Sequence, residues 1–361
     1  MNNSDLIVKI LKDAGVRHGF GIPSGNVLPF IEAMRKGGLD FVLTAHEGSA
    51  AFAADVTGRV SGAPGLCIAT LGPGATNLAT GVGSAYLDRS PMIAITCNLN
   101  TPQLGRRIQM WIDHHALFKP IVKATFAARR DNVREVIEEA IRIAMSEPQG
   151  PVHIDLPEDV SLAEAAEAPT GNIAGARIER RASDAEIAKA GDLLARAKRP
   201  VAVIGSTAMR MADKGLLKAF VERHGMPFAT TTMAKGLIDD DHPLAIGCIE
   251  RSLRQMQRKF IRSCDLIVGL GYDTIEVEYE AWAGETPVLA IDIEAPDVAE
   301  SVRLAGAVVG DLDDALSRLA ELPAATNAWE GAEIRSHAQG FQKALRPASE
   351  SLTPHHVIDI V

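Results

Sequence analysis

The residues most able to do chemistry lie between Phe41 and Asn77, in the stretch FVLTAHEGSAAFAADVTGRVSGAPGLCIATLGPGATN. An apolar run, Phe41 to Ala45, stops at His46-Glu47, and an alanine-rich helical run containing Asp55 and Arg59 follows. A second apolar run, Leu66 to Thr70, breaks into the turn Gly72-Pro73-Gly74. One carboxylate is thus expected where a buried strand meets a helix, beside a glycine turn at the end of the next strand. That arrangement can set an acid against the flat ring of a cofactor. A carboxylate in a first helical turn also complements the helix dipole and nothing more. Spacing alone leaves both readings of Glu47 open.

Two glycine turns share this setting. Gly21-Ile22-Pro23-Ser24-Gly25 and Thr70-Leu71-Gly72-Pro73-Gly74-Ala75-Thr76-Asn77 each run from strand end through tight turn to helix start. Such turns present backbone N–H groups to anions, or act as plain βα connections. Neither has P-loop or GxGxxG spacing. A third group, Gln109-Met110-Trp111-Ile112-Asp113-His114-His115, mixes polar and aromatic residues in a loop before Pro120. Adjacent histidines rarely reach one metal ion, so surface or interface histidines are the alternative. Gly269-Leu270-Gly271-Tyr272-Asp273 and Ile291-Asp292-Ile293-Glu294 read as nucleotide-edge loops or as structural turns.

The elements that must carry these residues alternate. A capped helix (Leu6 to Ala14), a strand (His18 to Ile22) and a helix (Val27 to Lys36) open a series that ends at the strand Pro151 to Leu156. This predicts an α/β domain with a wound parallel sheet over residues 1–165. Residues 166–182 carry Pro and Gly without a sustained period and read as a linker. A second α/β domain is expected over 183–322, with strands at Val201–Ile204, Pro227–Thr230, Leu266–Leu270 and Val288–Ile291. Residues 323–350 read as another connector. Thr353-Pro354 then starts a helix, and residues 351–361 are expected to begin a third domain or to form a docked terminal helix.

Composition limits the function classes. A length of 361 residues implies at least two cores. The hydrophobic share is 47% and the aromatic share only 4%, which suits aliphatic α/β layers. A net charge of −9 with no basic block argues against a nucleic-acid partner. No run reaches membrane-span length and the N-terminus lacks a signal-peptide pattern, so a cytoplasmic protein is expected. The four cysteines show no metal or redox spacing.

Taken in order, GIPSGNVLPFIEAM, AHEGSAAFAADVTGR, TLGPGATN, the Gln109 to Pro120 segment and GPVHIDLPEDV resemble thiamine-diphosphate-dependent enzymes, nearest the acetolactate synthase-like group. TTTMAKGLIDDDHPLA and DLIVGLGYDTIEVE resemble that family's central domain. The resemblance implies a pyrimidine-binding domain followed by a Rossmann-like central domain, both wound parallel sheets. It implies that a glutamate matching Glu47 hydrogen-bonds the pyrimidine N1′ and promotes deprotonation of the thiazolium. Ile22, Pro23 and Gly25 match the loop near the pyrimidine, and Thr70, Pro73 and Asn77 the loop beside it. Gln109 and His114 fall where family members approach the substrate.

The implied reaction is decarboxylation of a 2-keto acid with carboligation or aldehyde release, in a homodimer or homotetramer. Departures from the pattern shape these expectations. Glu147-Pro148-Gln149 stands where flavin-containing members carry Arg, so no FAD is expected. Ile108-Gln109-Met110 replaces the usual FQE, which leaves synthase and decarboxylase both open. The family's Gly-Asp-Gly motif does not occur, since Gly310-Asp311 is followed by Leu312. The Mg2+–diphosphate site is therefore expected outside this chain, and the isolated chain is expected to be inactive. The alternatives are one subunit of a split enzyme, or a non-catalytic binding module with Glu47 as a helix cap.

Overall fold

The computed structural model describes residues 1–165, 180–249, 253–276, 282–324 and 327–360. The chain divides into two compact units, 1–178 and 179–361. In the first, α1 (Asn3–Asp13), β1 (His18–Gly21), α2 (Leu28–Gly37), β2 (Asp40–Leu43), α3 (Glu47–Ser61), β3 (Gly65–Thr70), α4 (Pro73–Leu87) and β4 (Met92–Asn98) alternate strictly. The unit continues through α5 (His114–Phe118), β5 (Ala124–Ala127), α6 (Val133–Met145), β6 (Pro151–Pro157) and α7 (Glu158–Leu162). Among the described residues the strands form a six-stranded sheet, ordered β2-β1-β3-β4-β6-β5. Every pairing is parallel.

A parallel sheet is buried on both faces, and alternate residues of each strand serve opposite cores. Leu66, Ile68, Ile93, Ile95, Val152 and Ile154 pack with α1, α2 and α6. Cys67, Ala69, Met92 and Ala94 pack with α3 and α4, where Ala50, Ala51, Ala54, Ala75 and Ala85 are fully buried. Small residues let this second layer approach closely. A Cβ at Gly65 would collide with the Ala54 carbonyl oxygen, and one at Gly58 with that of Pro91. A Cβ at Gly81 would lie 2.5 Å from that of Ala51. This alanine–glycine seam fixes the first turns of α3 and α4 beside each other.

One expectation fails here. The strand before Glu47 is not buried: β2 pairs only with β1 at the sheet edge, and Leu43 is 67% exposed. Phe52, Val56 and Val60, spaced four apart on α3, also face outward. The apolar run marks an open face here.

The second unit contains α8 (Asp184–Arg196), β7 (Pro200–Ile204), α9 (Gly215–Arg223), β8 (Phe228–Thr230), β9 (Ala245–Cys248) and α10 (Arg254–Ile261). It continues through β10 (Leu266–Leu270), β11 (Val288–Asp292), β12 (Leu304–Val309), α11 (Leu312–Ala320), α12 (Gly331–Leu345) and α13 (Pro354–Ile360). Its described strands form a parallel sheet ordered β12-β11-β10-β7-β8-β9. Strands β9 and β12 were not anticipated from sequence. Half of the expected connector 323–350 is the helix α12, which buries Ile334 and Phe341. The expected linker 166–182 lies outside the described residues except at 180–182. No described helix is long and apolar enough to cross a membrane.

Candidate functional site

Parallel strands deliver their following loops to one edge of the sheet, which is where ligands of wound α/β folds collect. Glu47 is the first residue of α3 and is half-buried. It is not the N-cap. That position belongs to His46, whose Nδ1 accepts the Gly48 N–H at 3.0 Å. The Glu47 side chain reaches across the seam, and its Oε2 accepts from Asn77 Nδ2 at 3.0 Å. Among the described residues Oε1 has no hydrogen-bond partner; it lies 3.3 Å from where a Cβ on Gly74 would sit. Beside it, Thr70 Oγ1 is buried without a hydrogen-bond partner.

The structure therefore brings Glu47, Thr70, Pro73 and Asn77 together. Strands β1 and β3 are neighbours, with Gly21 opposite Ile68, so Ile22, Pro23 and Gly25 leave the sheet beside the same turn. Asn26 anchors that loop, donating to the Asn98 carbonyl at 3.3 Å and to Glu158 Oε2 at 3.0 Å. Gln109 is exposed. Its neighbour Met110 has φ 66° and crowds Gly72, itself at φ 62°, where a Cβ would lie 2.5 Å from the Met110 carbonyl oxygen. Any side chain at position 72 would displace this cover.

His114 behaves otherwise than a residue awaiting substrate. It is 1% exposed, and both ring nitrogens are engaged. Nε2 accepts the Gly72 N–H at 3.4 Å, and Nδ1 lies 3.1 Å from Asp155 Oδ1. Asn98 Nδ2 donates to both Asp155 oxygens, at 3.0 and 3.1 Å. Thr96 Oγ1 joins His114 Nδ1 to His153 Nε2, at 2.9 and 2.8 Å. Sequence reasoning missed Thr96, Asn98, His153 and Asp155. Their signal was present: polar residues alternating within strands otherwise apolar throughout must find partners when buried.

Both units match thiamine pyrophosphate enzyme families. Residues 1–117 match the thiamine pyrophosphate enzyme N-terminal TPP-binding domain, and residues 187–319 the central domain. The chain belongs to the thiamine pyrophosphate enzymes. Among its relatives, the probable acetolactate synthase large subunit of Methanocaldococcus jannaschii is 34% identical over 328 residues, covering 88% of this chain and 56% of that protein. That of Methanococcus aeolicus is 35% identical over 320 residues, covering 86% and 53%. The acetolactate synthase isozyme 2 large subunit of Escherichia coli is 30% identical over 323 residues, covering 88% and 59%. This thiamine pyrophosphate enzyme chain spans about half the length of the relatives it matches.

The central domain has its own crevice. The strand order reverses direction between β7 and β10, and their loops meet there. Ser206 N–H, at the end of β7, donates to Glu276 Oε1 at 2.8 Å. A Cβ on Gly205 would lie 2.5 Å from the Gly271 carbonyl oxygen. Burial raises the carboxyl pKa of Glu276. It pushes Asp292, 8% exposed, up to about 7, and nearby Asp273 adds to the rise. A carboxyl raised on folding from 3.8 stabilises the fold below about 4 and loses that contribution as pH rises through about 7. Asp292→Asn is therefore expected to gain urea resistance relative to wild type between pH 5 and pH 8. An unchanged difference between the two midpoints would show that Asp292 stays ionised.

Proposed function

We propose that this chain supplies the pyrimidine side of a thiamine diphosphate site in an acetolactate synthase-like enzyme acting on a 2-keto acid. The observation that carries the reading is Glu47, with one oxygen held by Asn77 and the other unpartnered beside the Gly74 turn. The pocket suits an aminopyrimidine. Glu47 Oε1 can exchange a proton with a ring nitrogen, and the orphaned Thr70 hydroxyl can meet a polar group. Ile22, Pro23 and Gly25 on one loop, and Pro73 on the other, would flank the ring. When bound, the cofactor supplies an electron sink for decarboxylation.

The protein's own part is to hold and orient. Asn77 keeps Oε2 occupied, which directs proton exchange to Oε1. Gln109 stands exposed beside the Gly72 turn and is placed to meet substrate. His114, fully enclosed, acts on substrate only through the Gly72 amide it accepts from. Mg2+ and the diphosphate are proposed to be held by residues outside this chain. FAD is left out of this proposal, because Glu276 Oε1 takes the Ser206 amide at the end of β7, where a phosphate would bind. A screen of 2-keto acids with CO2 release as readout, run on the complete enzyme with thiamine diphosphate and Mg2+, should find turnover. Failure with every keto acid would remove the reading.

A homo-oligomer belongs to the same proposal. Its support is the open apolar face of Leu43, Phe52, Val56 and Val60, adjoining Glu47 on β2 and α3. Exposed apolar patches of this kind mark interaction surfaces. Val60, 75% exposed, can be changed without touching the core. Val60→Asp should shift sedimentation from oligomer toward monomer, with a far-UV circular dichroism spectrum like that of wild type and a melting temperature lowered by the lost association. An unaltered sedimentation coefficient would place the interface elsewhere.

A further inference from the structure

A second cleft, of about 630 Å3, opens over the carboxyl ends of β4, β6 and β5. That volume suits a small ligand. Its walls are apolar, with Pro102, Leu104, Trp111 and Pro157, while its floor is formed by the buried Asp155 and His114 and the half-exposed His115. The hydrogen order among these groups decides what the floor offers.

The order follows from one backbone donor. Gly72 N–H points at His114 Nε2, so neutral His114 carries its proton on Nδ1, facing Asp155. Thr96 Oγ1, 2.9 Å from that same Nδ1, must then give its own hydrogen to His153 Nε2. Burial drives the His153 pKa well below its usual value, so this ring is neutral and bears its proton on Nδ1. That proton goes to Thr125 Oγ1 at 2.7 Å, and the Thr125 hydroxyl turns to His115 Nδ1 at 2.8 Å. With Nδ1 accepting the Thr125 hydrogen, His115 carries a proton on Nε2, presented as a donor in the cleft.

The remaining charges lining the cleft sort themselves. Asp155 is satisfied by Asn98 and His114, and its Oδ2 stands 3.9 Å from His115 Nε2. Asp113 caps α5 through the Ala116 N–H at 2.9 Å. Asp159 holds Thr101 and pairs with Arg130 at 3.2 Å. Arg129 is exposed, and among the described residues its guanidinium makes no ion pair. An apolar cleft with one N–H donor and one uncommitted cation calls for an anion on an apolar body. We propose that this cleft binds a small organic carboxylate, its carboxylate shared by His115 Nε2–H and Arg129 and its apolar part against Trp111. The proposal does not rest on the thiamine diphosphate reading.

Phenylacetate titrated into the whole chain tests it through Trp111 fluorescence. Trp282 and Trp329, at 1% and 8% exposure, are buried in the other unit and should be silent. Saturable quenching is expected with a Kd of roughly 1 mM or tighter. It should vanish in Trp111→Phe and weaken about tenfold in Arg129→Ala and for neutral phenylacetamide, each change amounting to ~1.4 kcal/mol. Long-range 1H–15N NMR should find His115 protonated on Nε2, and Thr125→Val should release that tautomer. The proposal is overturned by the absence of saturation up to about 10 mM. It is equally overturned if phenylacetamide binds as well as phenylacetate, or Arg129→Ala as well as wild type. Melting curves superimposable on wild type confirm that the variants are folded.

Discussion

Glu47→Gln is expected to lower kcat of the complete enzyme by about 10²–10⁴-fold, the usual worth of a positioned proton-transfer group. Its melting temperature should fall by less than about 4 °C, the shift that ~1 kcal/mol gives in a domain of this size. The split follows from the geometry. Glutamine is isosteric, and its carbonyl oxygen can still accept from Asn77 Nδ2. His46, not Glu47, caps α3, so the helix start survives the change. What is lost is the favourable charge in the first turn, worth about 0.3–1 kcal/mol, and the capacity to exchange a proton at Oε1. Turnover near wild type would make Glu47 structural. A large loss of activity accompanied by an equally large loss of stability would attribute the effect to folding instead.

Asp155→Ala should act in the opposite sense, through the fold first. Asp155 is 6% exposed and receives hydrogen bonds from Asn98 and His114, both 1% exposed. Removing the acceptor strands two buried donors, each costing roughly 1–3 kcal/mol. The expected loss is therefore about 2–5 kcal/mol, the range for breaking a buried partner set. Denaturant titration should show it, and hydrogen exchange should accelerate at the β4 and β6 amides, where the network sits. Asp155→Asn should lose less, because one oxygen can still accept. A loss of less than ~0.5 kcal/mol for the alanine variant would mean that water replaces the carboxylate without cost.

The wound architecture and the cluster around Glu47 were legible for a physical reason. Periodicity reports which residues are buried, and a glycine turn after an apolar run reports where a strand ends. The limits are equally physical. Phe41 to Leu43 read as a buried strand because an apolar run exposed at a sheet edge has the same composition as a buried one. His114 read as a substrate residue because the sequence does not reveal that Gly72 and Asp155 enclose it. Helix α12 was hidden because only Ile334 and Phe341, seven residues apart, anchor it among charged neighbours. Asp155 and His153 were overlooked as strand residues, although their polarity within a buried strand was itself the clue.

The alanine–glycine seam between α3, α4 and the sheet sets how this site tolerates motion and change. Long side chains that position a carboxylate must each be frozen into a rotamer, and each retains some freedom to rattle. Here the spacing of the two helix starts is set by backbone touching backbone, with almost no rotatable bonds between. The spacing between the Glu47 and Asn77 backbones is thus as stiff as the main chain itself, and only their own side chains keep rotatable bonds. The same stiffness closes off gradual adjustment, because even one added methyl group along the seam moves a whole helix. Variation that retunes this site must therefore enter through the loops that ring it.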